Sequence, residues 1–177
     1  MIEQFRSVAQ DLRGMKSAQD IAKHADRVAE AFKMCVNEIT SSSHSDKIQS
    51  RMLTKVEDEL FQIGIDTLYK VTEFDPRGRV VTEQDIERLD TLIEASRYLL
   101  SVRFDPNCGE VSQENHTKFR HINVLVIKNL EQLADPQYEE RASFRHKYKG
   151  LKTKVSAAAS TLSQTYHVNK KHHSIGR

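Results

Sequence analysis

Apolar positions recur at steps of three and four residues almost from the start of the chain. Ile2, Phe5, Val8 or Ala9, and Leu12 mark a short first helix that stops near Gly14. Ser17 then offers a hydroxyl as N-cap, and Asp20, three residues on, suits the positive end of a second helix. In that helix Ile21, Ala25, Val28, Phe32, Cys35 and Ile39 alternate by four and three, a sustained heptad seam ending in the turn-forming tract Thr40-Ser41-Ser42-Ser43. A third helix is predicted from near Ser45 to about Phe74, with Met52 or Leu53, Val56, Leu60, Ile63, Leu68 and Val71 on its apolar side. The fourth carries Ile86, Leu89, Leu92, Ile93, Leu99 and Leu100. The fifth, from Gln113 to Leu133, contains INVLVIKNL at 122–130. That run is apolar almost all round, so this helix is expected to be the most enclosed. Its β-branched residues also permit a buried strand; with no strand-like segment elsewhere to pair with it, the helix is the reading adopted. A last helix places Phe144, Tyr148, Leu151, Val155, Ala158 and Leu162 on one seam.

The turns between these helices are marked by proline. All three prolines follow an aspartate, at Asp75-Pro76, Asp105-Pro106 and Asp135-Pro136, and the spacing is 30 residues twice. Asp75-Pro76-Arg77-Gly78 suits a type I turn, and the residue before proline avoids helical geometry. Thr82 follows as an N-cap, with Val81 and Ile86 placed for a hydrophobic staple. Pro106, Val111 and Ser112 repeat the pattern. Asp135 and Pro136 instead start a helix directly, with Glu139 and Glu140 near its positive end. The period therefore measures a helix plus a turn, since about 20 helical residues span about 30 Å. The expected fold is all-α: an up-and-down antiparallel bundle of about five long helices plus a short N-terminal helix. Residues 1–166 would form this single domain and residues 167–177 a basic tail.

Composition agrees with that picture. A chain of 177 residues is one domain by length and can bury roughly 70% of its unfolded surface. Charged residues at 29% and apolar ones at 38% suit helices with one wet face. Cys35 and Cys108, with no CxxC pair, argue against a disulfide framework and for a cytoplasmic or otherwise intracellular setting. No apolar run approaches the roughly 20 residues of a membrane span, and MIEQFRSVAQDL is amphipathic and acid-bearing, unlike a secretory signal.

Charge adds a lean towards a partner. The net of +2 conceals an asymmetry: residues 137–177 hold nine Lys or Arg and two acids, and the other 136 hold 18 basic and 23 acidic side chains. Arg141, Arg145, Lys149 and Lys152, at steps of four, four and three, form one helical stripe, flanked by Lys147 and Lys154. Lys170, Lys171 and Arg177 lie in the tail beside His172 and His173, which gain charge in mild acid. A cationic face with a cationic tail attracts a phosphate backbone without reading its sequence. Tyr138, Tyr148 and Tyr166 lie nearby for base stacking, although Tyr148 also falls on the apolar seam. Arg77, Arg79 and Arg103 flank the first two Asp-Pro corners.

The leading expectation is thus a non-enzymatic helical binding or assembly protein contacting RNA or DNA within a larger complex. The alternative is a protein–protein module docking an acidic or helical partner, or self-associating through its heptad-patterned helices. No Glu-x-x-His pair, zinc-like spacing or glycine-rich phosphate loop is present, so neither a metal nor a cofactor is expected. One further motif bears on function. Arg141-Ala-Ser-Phe-Arg-His146 resembles the Arg-x(4–6)-His spacing of HEPN-type ribonucleases, themselves all-α bundles, with Ala142 where that family commonly has a polar residue. The resemblance implies Arg141 stabilising the scissile phosphate and His146 as acid or base.

Overall fold

A computed structural model describes residues 2–75, 81–102 and 113–133, together with Thr153. Five helices form there: α1 (Ile2–Gly14), α2 (Ala18–Thr40), α3 (Asp46–Thr72), α4 (Glu83–Ser101) and α5 (Gln113–Leu133). No strand occurs among the described residues, and residues 122–130 lie inside α5.

Local chemistry explains where the helices begin. The Ser17 hydroxyl accepts from the Asp20 amide, and Ser45 from the Ile48 amide. Thr82 forms a reciprocal box: its hydroxyl accepts from the Asp85 amide at 3.2 Å while its own amide donates to the Asp85 carboxylate at 2.9 Å. Each cap satisfies an amide that the helix cannot, a contribution of about 1 kcal/mol. Val81 and Ile86, flanking that box, are both buried. Asp75 lies three residues past the last residue of α3; Pro76 and the Asp105-Pro106 and Asp135-Pro136 dipeptides lie outside the described residues.

Side-chain pairs reveal the course of the chain. Phe5 of α1 packs on Phe32 of α2 with ring centroids 5.9 Å apart, and His24 Nε2 donates to the Val8 carbonyl at 3.1 Å. Advancing along α1 therefore means retreating along α2: the two are antiparallel. Arg6 pairs with Glu59 at 2.8 Å and Arg13 with Asp66 at 3.1 Å. Both partners advance by seven residues, so α1 and α3 run the same way. So do α3 and α5, because Asn115 meets Asp58 while Asn129 reaches the carbonyls of Val71 and Thr72. The chain is an up-and-down helical bundle, and α4 carries it back between the parallel α3 and α5.

The centre of this bundle is α3, which packs against all four other described helices; α2, α3 and α4 also touch pairwise. The expectation that α5 would be most enclosed is corrected among the described residues. It rests mainly on α3, and Val124 in its apolar run stands 52% exposed. Apolarity all round was the wrong measure. Enclosure depends on how many neighbours pack, and α3 accommodates its polar residues by pairing them with those neighbours. The α2 seam is also used within the chain. Ile21, Ala25, Val28, Phe32, Cys35 and Ile39 are all buried in the common core, so that seam is not free for self-association. Where the pattern left alternatives, Ala9 rather than Val8 and Leu53 rather than Met52 take the core positions.

α3 and α4 pack closely at Gly64. A Cβ placed on Gly64 would lie 2.7 Å from Leu100 Cγ and Cδ2. Any larger residue there would require the Leu100 side chain to shift. No helix among the described residues is long and apolar enough to cross a membrane.

Candidate nucleic-acid interface

Every basic residue assigned to the interface from sequence lies outside the described residues: Arg141, Arg145, Lys147, Lys149, Lys152, Lys154, Lys170, Lys171 and Arg177. The same holds for His146, the seam from Phe144 to Leu162, the loop arginines Arg77, Arg79 and Arg103, and Cys108.

On the solvent side of α3, carboxylates and amides are gripped from both flanks. From α1 come Arg6 to Glu59 and Arg13 to Asp66, while Lys70 of α3 donates back to the carbonyl of Met15 just past the end of α1. From α5 come Asn115 to the Asp58 carboxylate at 2.8 Å and Lys118 to the Gln62 amide oxygen at 3.4 Å. Gln62 in turn donates to Asp66 at 2.6 Å. Asn115 is buried, so its amide must be satisfied, and the two bonds to Asp58 do so. Two more cations are neutralised within their own helices, Lys33 by Glu30 and Lys118 by Glu114. The contacts from α1 and α5 to α3 set the register of these three helices.

The first half of α3 is different. Lys47, Arg51 and Lys55 follow one another at steps of four, and all three are exposed. No acid occurs from residue 47 to residue 56, and among the described residues none of the three cations takes part in an ion pair. Sequence reasoning passed over this stripe because it lies in the part of the chain whose net charge is negative. The four-residue spacing was the signal that could have found it.

Other features carry less. A shallow groove of about 310 Å³ between α1 and α2 is lined by Ser7, Val8, Ala31, Met34, Cys35 and Glu38 among others. Met34 is 60% exposed there. Cys35 is a free thiol, 2% exposed, and burial pushes its pKa above the ordinary value, with Glu38 and Glu59 adding to the rise against the chain's amino terminus. A thiol so placed stays protonated and poorly nucleophilic at neutral pH. Among the described residues no group of three His, Cys, Asp or Glu side chains could hold a metal ion. Compared with known protein families, curated proteins and solved structures, the chain matches none.

Proposed function

We propose that this is a non-enzymatic helical binding and assembly protein whose basic C-terminal segment, residues 137–177, contacts the backbone of RNA or DNA within a larger complex. One observation supports the reading above others: charge is segregated along the chain, with nine cations against two acids in this segment and an acidic excess in the rest. In the bundle, Arg6, Arg13, Lys33 and Lys118 each have a carboxylate at hand. In the C-terminal segment two acids cannot neutralise nine cations, and a polyanion releases counterions on meeting such a surface.

Fluorescence anisotropy with labelled single-stranded RNA and duplex DNA across a salt series tests the proposal. The full chain is compared with a variant in which Arg141, Arg145, Lys149 and Lys152 are changed to Ala. Binding should weaken steeply with salt, and the log–log slope should fall by roughly 0.7 to 0.9 for each phosphate contact removed. Absence of binding at low salt would end this reading. A second reading, a module docking a helical protein partner, is favoured by the groove between α1 and α2, where Met34 is exposed. If bound RNA is cleaved, and His146→Ala stops cleavage while binding persists, the ribonuclease reading replaces the first.

A further inference from the structure

We propose that Lys47, Arg51 and Lys55 form a second contact for the nucleic-acid backbone, on the folded bundle itself. The choice of ligand rests on the reading of the C-terminal segment; the choice of residues does not. Steps of four residues set the three cations along one face of α3, and eight residues of helix place the first and last about 12 Å apart. All three are exposed.

Their placement works against the helix that carries them. Lys47 sits in the first turn of α3, where the helix presents partial positive charge and acids are favoured. Acids do hold first-turn positions in all five helices, at Glu3, Asp20, Asp46, Glu83 and Glu114. Lys47 with Arg51, and Arg51 with Lys55, are like-charge pairs at the spacing where side chains meet. These placements cost local stability at the start of α3, where the nearest acids are Asp46 before the row and Glu57, Asp58 and Glu59 after it, and they mark a surface shaped for something other than folding.

The fold keeps the stripe open. The α1 ladder on α3 begins at Arg6 with Glu59, and α5 meets α3 at Asn115 with Asp58. Both clasps start about one turn beyond Lys55, and Lys47, Arg51 and Lys55 pair with no carboxylate among the described residues. An anionic membrane fits less well than nucleic acid. A helix lying on lipid needs a broad apolar face, whereas Leu53, Val56 and Leu60 are buried in the core and Ile48, 45% exposed, is the one large apolar side chain left open in this half of α3. A regular row of cations without an apolar face suits a phosphate backbone, which is recognised by charge alone.

The test uses the full chain, the same labelled RNA and DNA, and a triple variant Lys47→Ala, Arg51→Ala, Lys55→Ala, with circular dichroism confirming unchanged helicity. The salt slope should fall by about 2 units in magnitude for at least one of the two polymers, as expected for two or three lost phosphate contacts. A companion variant, Lys47→Arg with Lys55→Arg, should keep the parent slope. If the full chain binds and the triple variant keeps that slope, this inference fails while the C-terminal reading stands. If the triple variant loses slope and the C-terminal quadruple variant does not, the inference stands and the C-terminal reading falls. No binding by the full chain at low salt overturns both. Poly-glutamate, or vesicles rich in anionic lipid, serve as further probes. An equal loss by the triple variant on either would overturn nucleic acid as the ligand class.

Discussion

The two halves of α3 present the same helix face to solvent and use charge in opposite ways. In the second half Asp58, Glu59 and Asp66 are each held by a side chain from α1 or α5. In the first half Lys47, Arg51 and Lys55 stand in a row without carboxylate partners among the described residues. The residues that separate these regimes are few: Val56 and Glu57, both buried, mark where neighbouring helices close in. Charge beyond that point assembles helices. Charge before it faces outward, and Lys47 in the first turn opposes the helix dipole.

The contrast can be broken most severely through the packed half. Phe119 of α5 lies against Phe61 of α3 with centroids 5.7 Å apart and is almost wholly buried. Phe119→Ala should cost about 3–5 kcal/mol in urea unfolding. A loss below 1 kcal/mol would mean that α5 is not held on α3 by this contact. Gly64→Ala is a smaller insult at the α3–α4 contact. Alanine is the better helix former by about 1 kcal/mol. Its Cβ, however, would meet buried Leu100 at 2.7 Å, and overpacking of this kind costs about 1–3 kcal/mol. Net destabilisation is expected, relieved in part when Leu100→Ala is added. Ser50→Ala, on the exposed half of the same helix, should stay within about 0.5 kcal/mol of the parent.

The smallest effects are the sharpest, because their signs differ. Lys47→Glu puts an acid at the positive helix end and turns a repulsive pair into an attractive one, so thermal unfolding should show a gain of about 0.5–1 kcal/mol. Arg13→Ala removes a half-exposed pair with Asp66 and should lose roughly 0.2–1 kcal/mol. Equal signs would erase the distinction between the two halves. Together with the two salt-series measurements, these variants separate charge that supports the fold from charge that does not.

Much of the architecture was legible in local chemistry. Ser17, Ser45 and Thr82 cap the helices expected of them, because a cap needs only its own hydroxyl and the amide three residues on. Core positions of α2 and α4 followed from spacing for a similar reason: a stripe at three and four residues has one way to leave water. The candidate interface was less legible. The C-terminal cations emerged from a charge count, whereas the α3 stripe was hidden by the acids around it in the count for that region. A sum over residues does not know which charges meet.

Among the described residues, the sequence by itself determined the helices, the caps that start α2, α3 and α4, and the buried faces of α2 and α4, since each depends on interactions within a few residues. Only the tertiary structure decided that α3 rather than α5 is central among the described helices. It likewise decided that the α2 seam is filled from within, and that Glu59 and Asp66 find arginines while Lys47, Arg51 and Lys55 find no acid among the described residues. Those outcomes depend on how far one helix reaches along another. That reach is set by close contacts between residues more than 50 positions apart in the chain, such as Arg6 with Glu59 and Asn115 with Asp58, and no local pattern encodes it.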